Sequence, residues 1–229
     1  MLNLRKDLIT VRDNPDKPNI FIEVRKKPSN LNIWDCMEAV YEPLIDELNE
    51  LGSEFPVTLC YMPVEWCVEA QNYAVTLFGI PELYSSRYAI VFSSQDQKII
   101  THVLSQLKLE DPFLRLVFTS PFVGCGFDSP CTVRTVHGKP TRKMVDLLQQ
   151  VGRAGRLGQK SSSVVYFNAN DIASNVEGMS DEMRDFCNTD GCYWLFILKQ
   201  FGYDHRKSDV IGCECCSNCK PKCTCISCN

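Results

Sequence analysis

Two arginines three positions apart, each preceded by a glycine, mark the stretch QQVGRAGRLGQK (149–160). Arg153 and Arg156 continue the spacing of an apolar helical face formed by Met144, Leu147, Leu148 and Val151. Both guanidinium groups are therefore expected to point the same way. Planar guanidinium donates two parallel hydrogen bonds and is the preferred partner of phosphate oxygens. Glycines at 152, 155 and 158 remove side chains that would keep a large anion from the backbone. The segment is not itself a phosphate loop. In GRLGQKSSS, Lys160 follows Gln159 rather than glycine, and the stretch precedes a strand instead of following one.

Cysteine is the other residue whose placement could do chemistry. Of fourteen cysteines, Cys36, Cys60, Cys67, Cys125 and Cys131 are scattered through apolar segments, where cysteine packs as a small hydrophobe. Nine lie at or after Cys187, and seven of those fall between 213 and 228. In an intracellular chain such crowding favours metal over disulfide. Cys213, Cys216 and Cys219 form C-x2-C-x2-C, and with Cys192 upstream they offer four thiolates to a tetrahedral zinc ion. Cys187 or Cys215 could replace one of the four. Cys223, Cys225 and Cys228 exceed one site and are read as a second, poorer site or as no ordered site. Between Cys192 and Cys213, YWLFILKQFGY (193–203) is an apolar helical platform that zinc could pin in place.

Net charge is −4, so contact with nucleic-acid phosphate must come from local clusters rather than from a uniformly basic surface. VRKKP (Arg25 to Lys27) and HGKPTRK (His137, Lys139, Arg142, Lys143) are such clusters. No apolar run approaches the roughly 18 residues that a membrane span needs. The charged start, MLNLRKDLITVRDNPDKPN, does not read as a secretory signal.

The elements that must position these residues alternate along the chain. PNIFIEV, VTLCYM, RYAIVFSS, LRLVFTS, CTVRTVH and SSVVYFN read as strands. Helical patterns run from Trp34 to Leu51, Val64 to Phe78, over 98–109 and over 141–151. This order predicts an α/β fold with a parallel sheet flanked by helices, whose ligands bind at the carboxyl ends of the strands. The boundaries expected are a polar extension (1–16), an α/β lobe (17–170), and a linker with a small helical, cysteine-rich zinc module (171–229).

At this point a resemblance becomes specific. QQVGRAGRLG is similar to motif VI of superfamily 2 helicases, and its GRAGR form looks most like the RecQ family. LRLVFTSPFVGCGFDSP resembles motif V, with Gly126, Phe127 and Asp128 in its glycine, hydrophobic and aspartate places. PNIFIEVRKKP resembles the opening of the second RecA-like lobe, and VTLCYM the strand of motif IV. The cysteine-rich end resembles the RecQ zinc-binding subdomain. There are departures: Thr119-Ser120 stands for Ala-Thr, Gln150 for a carboxylate, Leu147 for an aromatic residue, and Tyr88-Ala89-Ile90-Val91 for Tyr-His-Ala-Gly.

The resemblance implies a RecA-like second motor lobe of a 3′–5′ DNA helicase acting with ATP and Mg2+ and working on DNA in nuclear recombination and repair. It implies Arg156 as arginine finger, Arg153 as its phosphate-binding companion, and Gln149 as the link between nucleotide and DNA. Asp128 and Gly126 would lie on the nucleotide side, and Thr119 and Ser120 would touch the DNA backbone beside Lys139 and Arg142. A first RecA-like lobe must share the ATP, because no phosphate loop or DExH-like pair occurs in this sequence. The chain alone is expected to be inactive, whether as a fragment of a longer motor or as a truncated paralogue. The alternative is a non-enzymatic DNA- or protein-binding adaptor derived from such a motor.

Overall fold

A computed structural model describes residues 14–29, 32–82, 85–120, 129–207, 210 and 212–226. Six strands, β1 (Ile20–Lys26), β2 (Thr58–Tyr61), β3 (Tyr88–Val91), β4 (Leu116–Thr119), β5 (Arg134–His137) and β6 (Ser161–Phe167), form one sheet in the order β1-β6-β5-β2-β4-β3. Every pairing is parallel. Helices α1 (Ile33–Leu51), α2 (Val64–Phe78), α3 (Gln97–Gln106) and α4 (Met144–Val151) cover its faces, followed by α5 (Asp181–Asn188), α6 (Tyr193–Gln200) and the single turn α7 (Gly212–Cys215).

Successive strand side chains point to opposite faces, and the core divides accordingly. Cys60, Ile90, Leu116, Phe118, Val136, Val164 and Tyr166 face α1 and α2. Their chain neighbours Leu59, Tyr61, Val91 and Val117 pack beneath α3. Ile20, Ile22, Val165 and Phe167 meet α4, α5 and α6. Because both faces are covered, the strands read as nearly continuous apolar runs.

The cysteine-rich end shares this core. Met179, Met183, Phe186, Trp194 and Ile197 pack in the same cluster as Ile20, Ile22 and Val165. Trp194 is fully buried, and its indole N–H donates to the Ile20 carbonyl (2.8 Å). Residues 168–181, polar in sequence, run close against the lobe. Met179 is buried there, the Asp171 side chain is 7% exposed, and the Ser180 amide donates to the Arg142 carbonyl (2.9 Å).

The loop after α4 depends on one glycine. Gly155 has φ +65°, its amide donates to the Thr132 carbonyl (3.0 Å), and Asn19 Nδ2 donates to the carbonyls of Gly155 and Gln159 (both 2.9 Å). A Cβ at 155 would meet Asn19 Nδ2 at 2.3 Å. The expectation that these glycines serve an anion is thus corrected at Gly155, which is fixed by backbone hand and close packing. Gly155→Ala should cost about 3 kcal/mol, from the left-handed strain and the loss of Asn19's bonds. A urea melt checks this, and an unchanged midpoint would contradict it.

Candidate nucleotide and nucleic-acid interface

Parallel pairing places all six strand carboxyl ends on one edge, and a cavity of about 550 Å3 opens there. Pro63, Lys139, Arg142, Asp146, Gln149 and Asp171 line it. Three of the residues singled out in the sequence, Gln149, Lys139 and Arg142, are therefore brought together. Thr119 and Ser120 end β4 on the same edge, but both are buried, and the Thr119 hydroxyl donates to the Ser120 carbonyl (3.1 Å). Gly126 and Asp128 lie outside the described residues.

The arginines do not share the cavity. Helix α4 ends at Val151, and the chain turns through Gly152 with Arg153 N donating to the Gln150 carbonyl (3.0 Å). The loop then reaches the amino ends of β1, β5 and β6, where it bonds Asn19, Thr132 and Pro130. Arg153 is buried and Arg156 exposed. The expectation of a common direction is corrected: helical spacing stops at Val151, and Gly155 redirects the chain beyond it. Helix α4 carries the chain from the carboxyl edge toward the amino edge, so both arginines follow it there.

Two basic residues of the sequence patches are structural. His137 is fully buried and stacks on Tyr61 (centroids 5.3 Å apart, planes at 21°). Its Nδ1 donates to Gln150 Oε1 (3.0 Å), and Nε2 faces the Ser163 hydroxyl (3.4 Å). Gln150, a departure from the family carboxylate, thus anchors α4 to β5.

Burial pushes the His137 pKa down from 6.5 to about 4, with the Gln150 bond opposing. The unfolded chain therefore binds the proton more readily, so stability is full above pH 6.5 and falls as pH drops toward 4. This histidine should contribute a loss on the order of 3 kcal/mol over that window. Denaturant melts of His137→Gln should show a shallower decline than the parent, and parallel curves would refute the assignment.

Lys27 is likewise buried. Its Nζ bonds Asp171 Oδ2 (2.9 Å) and lies over the Trp66 ring (4.5 Å). Burial pushes its pKa down, and the Asp171 charge opposes that shift. The reading of VRKKP as a backbone-contact patch is corrected for this residue. Lys27 ties Asp171 and the segment after β6 to β1, where the parallel sheet buries it. Arg25 pairs with Glu23 (2.6 Å) and lies over Tyr166.

At the other end of the chain, the sulfurs of Cys192, Cys215, Cys216 and Cys219 all lie within 4.8 Å of one another. The Cys192 and Cys215 sulfurs are 3.5 Å apart, too far for a disulfide at about 2.05 Å and near the roughly 3.8 Å edge of a zinc–thiolate tetrahedron. Hydrogen bonds from Cys192 and Cys215 hold the Cys216 thiol well below its usual pKa, and the same bonds raise that of Cys215, so the sulfurs share charge as a group. The expected set included Cys213 in place of Cys215. The turn α7 separates the two: Cys215 faces inward, and Cys213 joins Cys223 and Cys225 in a different group.

Arg206 was not legible in the sequence. Its guanidinium holds Asp16 (2.7 Å), lies over Trp194 (5.2 Å) and donates to Cys215 Sγ (2.9 Å). A fixed cation at that sulfur offsets thiolate charge, as outer-shell partners of metal sites do. Cys36, Cys60 and Cys67 are buried, as expected of small hydrophobes, and burial pushes Cys67 up to about 12. Cys125 and Cys228 lie outside the described residues.

No family model matches the sequence. A protein described as ATP-dependent helicase wrn-1 from Caenorhabditis elegans is 24% identical over 234 residues, 95% of this chain and 21% of its own length. The ATP-dependent DNA helicase RecQ of Bacillus subtilis is 29% identical over 126 residues, 48% of this chain and 20% of that protein. The chain resembles RecQ-type helicases along most of its length. It spans less than a third of each curated relative named here.

The lobe has the RecA-like fold. Saccharomyces cerevisiae Dbp5 bound to RNA and ADP BeF3 superposes with TM-score 0.50 at 11% identity, covering 69% of this chain and 38% of that one. The yeast splicing factor Prp28 gives 0.50 at 16% identity, covering 74% and 34%.

Proposed function

We propose that this chain is the second motor lobe of an ATP-dependent 3′–5′ RecQ-like DNA helicase, with zinc held by Cys192, Cys215, Cys216 and Cys219. The observation that carries the reading is the path of α4, which joins cavity-lining Gln149 at one edge to exposed Arg156 near the other. Lys139, Arg142 and Gln149 take the DNA backbone at the carboxyl-edge cavity. Arg156, on a turn set by Gly155, takes the γ-phosphate of ATP with Mg2+ bound by a first RecA-like lobe. Arg153 supports that turn from within. A segment linking the two sites lets nucleotide state and strand position bias each other. Nuclear recombination and repair is the setting this reading suggests.

Single-stranded DNA binding, followed by fluorescence anisotropy over a salt series, tests the reading. Lys139→Ala with Arg142→Ala should weaken binding for every sequence alike. It should also lower the slope of log K against log salt by about 1.4, since each phosphate contact on a single strand contributes roughly 0.7. An unchanged slope would remove DNA from this cavity.

A further inference from the structure

We propose a second metal site, formed by the thiolates of Cys213, Cys223 and Cys225, that takes a zinc ion separate from the one assigned above. The three sulfurs lie within 4.8 Å of one another, and those of Cys213 and Cys225 are 3.5 Å apart. Local structure brings them together. Cys213 projects from α7, and the turn Lys220–Lys222, with proline inside it, reverses the chain so that Cys223 returns onto α7. Its amide bonds the Lys220 carbonyl (3.2 Å). Gly212 makes room for this return: a Cβ there would meet Cys223 Cβ at 3.2 Å and Sγ at 3.5 Å.

Ordinary packing does not account for the group. Cys192, Cys215, Cys216 and Cys219 belong to the apolar cluster shared with the sheet, whereas Cys213, Cys223 and Cys225 do not, and all three are half-buried. Ile226, the large aliphatic residue of this stretch, is 98% exposed. Residues 220–226 therefore hold a compact turn outside the apolar cluster, the situation in which small units rely on metal or disulfide. Soft thiolates select zinc over hard cations, and binding releases the thiol protons to solvent. Three of the four ligands of a tetrahedral zinc ion thus come from the described residues. The two sites sit back to back, with α7 giving Cys213 to one and Cys215 to the other.

The test uses the full chain purified without added metal, with zinc measured by elemental analysis and free thiols counted under denaturing conditions. Two zinc ions per chain are expected, falling to one in Cys223→Ser/Cys225→Ser with the circular dichroism of the lobe unchanged. That variant should also be cut faster by trypsin after Lys222, where loss of the metal frees the backbone of the turn. One zinc in both proteins would overturn the second site and leave the first standing, whereas none in either would overturn both. Two zincs retained in the variant would place the second ion elsewhere and overturn the assignment. A Cys213–Cys225 disulfide, seen by mass spectrometry without reductant, would do the same.

Discussion

Arg156→Ala, made in a polypeptide that also carries a phosphate-loop lobe, should lower kcat for ATP hydrolysis by about 10³ to 10⁵-fold while ATP binding survives. The asymmetry comes from where charge develops. Phosphoryl transfer spreads negative charge over the transferred oxygens in the transition state, and a cation placed for that state does little for the ground state. Arg156 suits this role because it is exposed on a turn whose shape Gly155 and Asn19 fix. Arg153, buried in the same loop, should instead affect folding, so Arg153→Ala should lower the melting temperature as well as the rate. Pre-steady-state hydrolysis with a separate nucleotide-binding assay distinguishes the cases. If Arg156→Ala lost ATP affinity and kept kcat, Arg156 would be a ground-state contact.

Cys216→Ser should release zinc and unfold the cysteine-rich end. Structural zinc contributes on the order of 10 kcal/mol of folding free energy, more than a region this small can supply from its own core. Cys216 is fully buried, and its neighbour Ser217 donates its amide to the Ile22 carbonyl (2.9 Å), so damage there reaches the lobe. Trp194 reports it. Buried against Ile20 in the folded protein, the indole should shift its emission to the red as zinc is lost. A Cys216→Ser protein that kept its zinc and its tryptophan emission would exclude Cys216 as a ligand. Cys213→Ser should leave this site filled, which separates the two cysteine groups.

Much of the fold was legible because its signals are local. Helix α2 was read to its observed bounds, Val64–Phe78, since Pro63 precedes it and Gly79 ends it. The strands showed as short apolar runs because helices cover both faces of a parallel sheet. What the sequence did not reveal depends on contacts between distant residues. The Lys27–Asp171 and Asp16–Arg206 pairs join residues far apart along the chain and leave no periodic trace. The separation of Arg153 from Arg156 turns on one left-handed glycine, which helical spacing cannot anticipate. C-x2-C-x2-C singled out Cys213, yet the single turn α7 sends Cys215 inward instead. Spacing counts residues, whereas ligation depends on direction.

Strand β1 is one of the two outer strands of the sheet, and Cys216 lies beside Ile22 in a parallel bridge. An uncovered outer strand presents N–H and C=O groups that a strand from another molecule can pair with. Glu23, Arg25 and Lys26 discourage such growth by charge, but the backbone at Ile22 is closed by the chain around Cys216 itself. Coordination at that cysteine, as proposed, would therefore do more than steady a small appendage. A molecule without the proposed zinc would gain a sticky margin, so the cost of demetallation would grow with protein concentration, as polymer rather than as slower turnover.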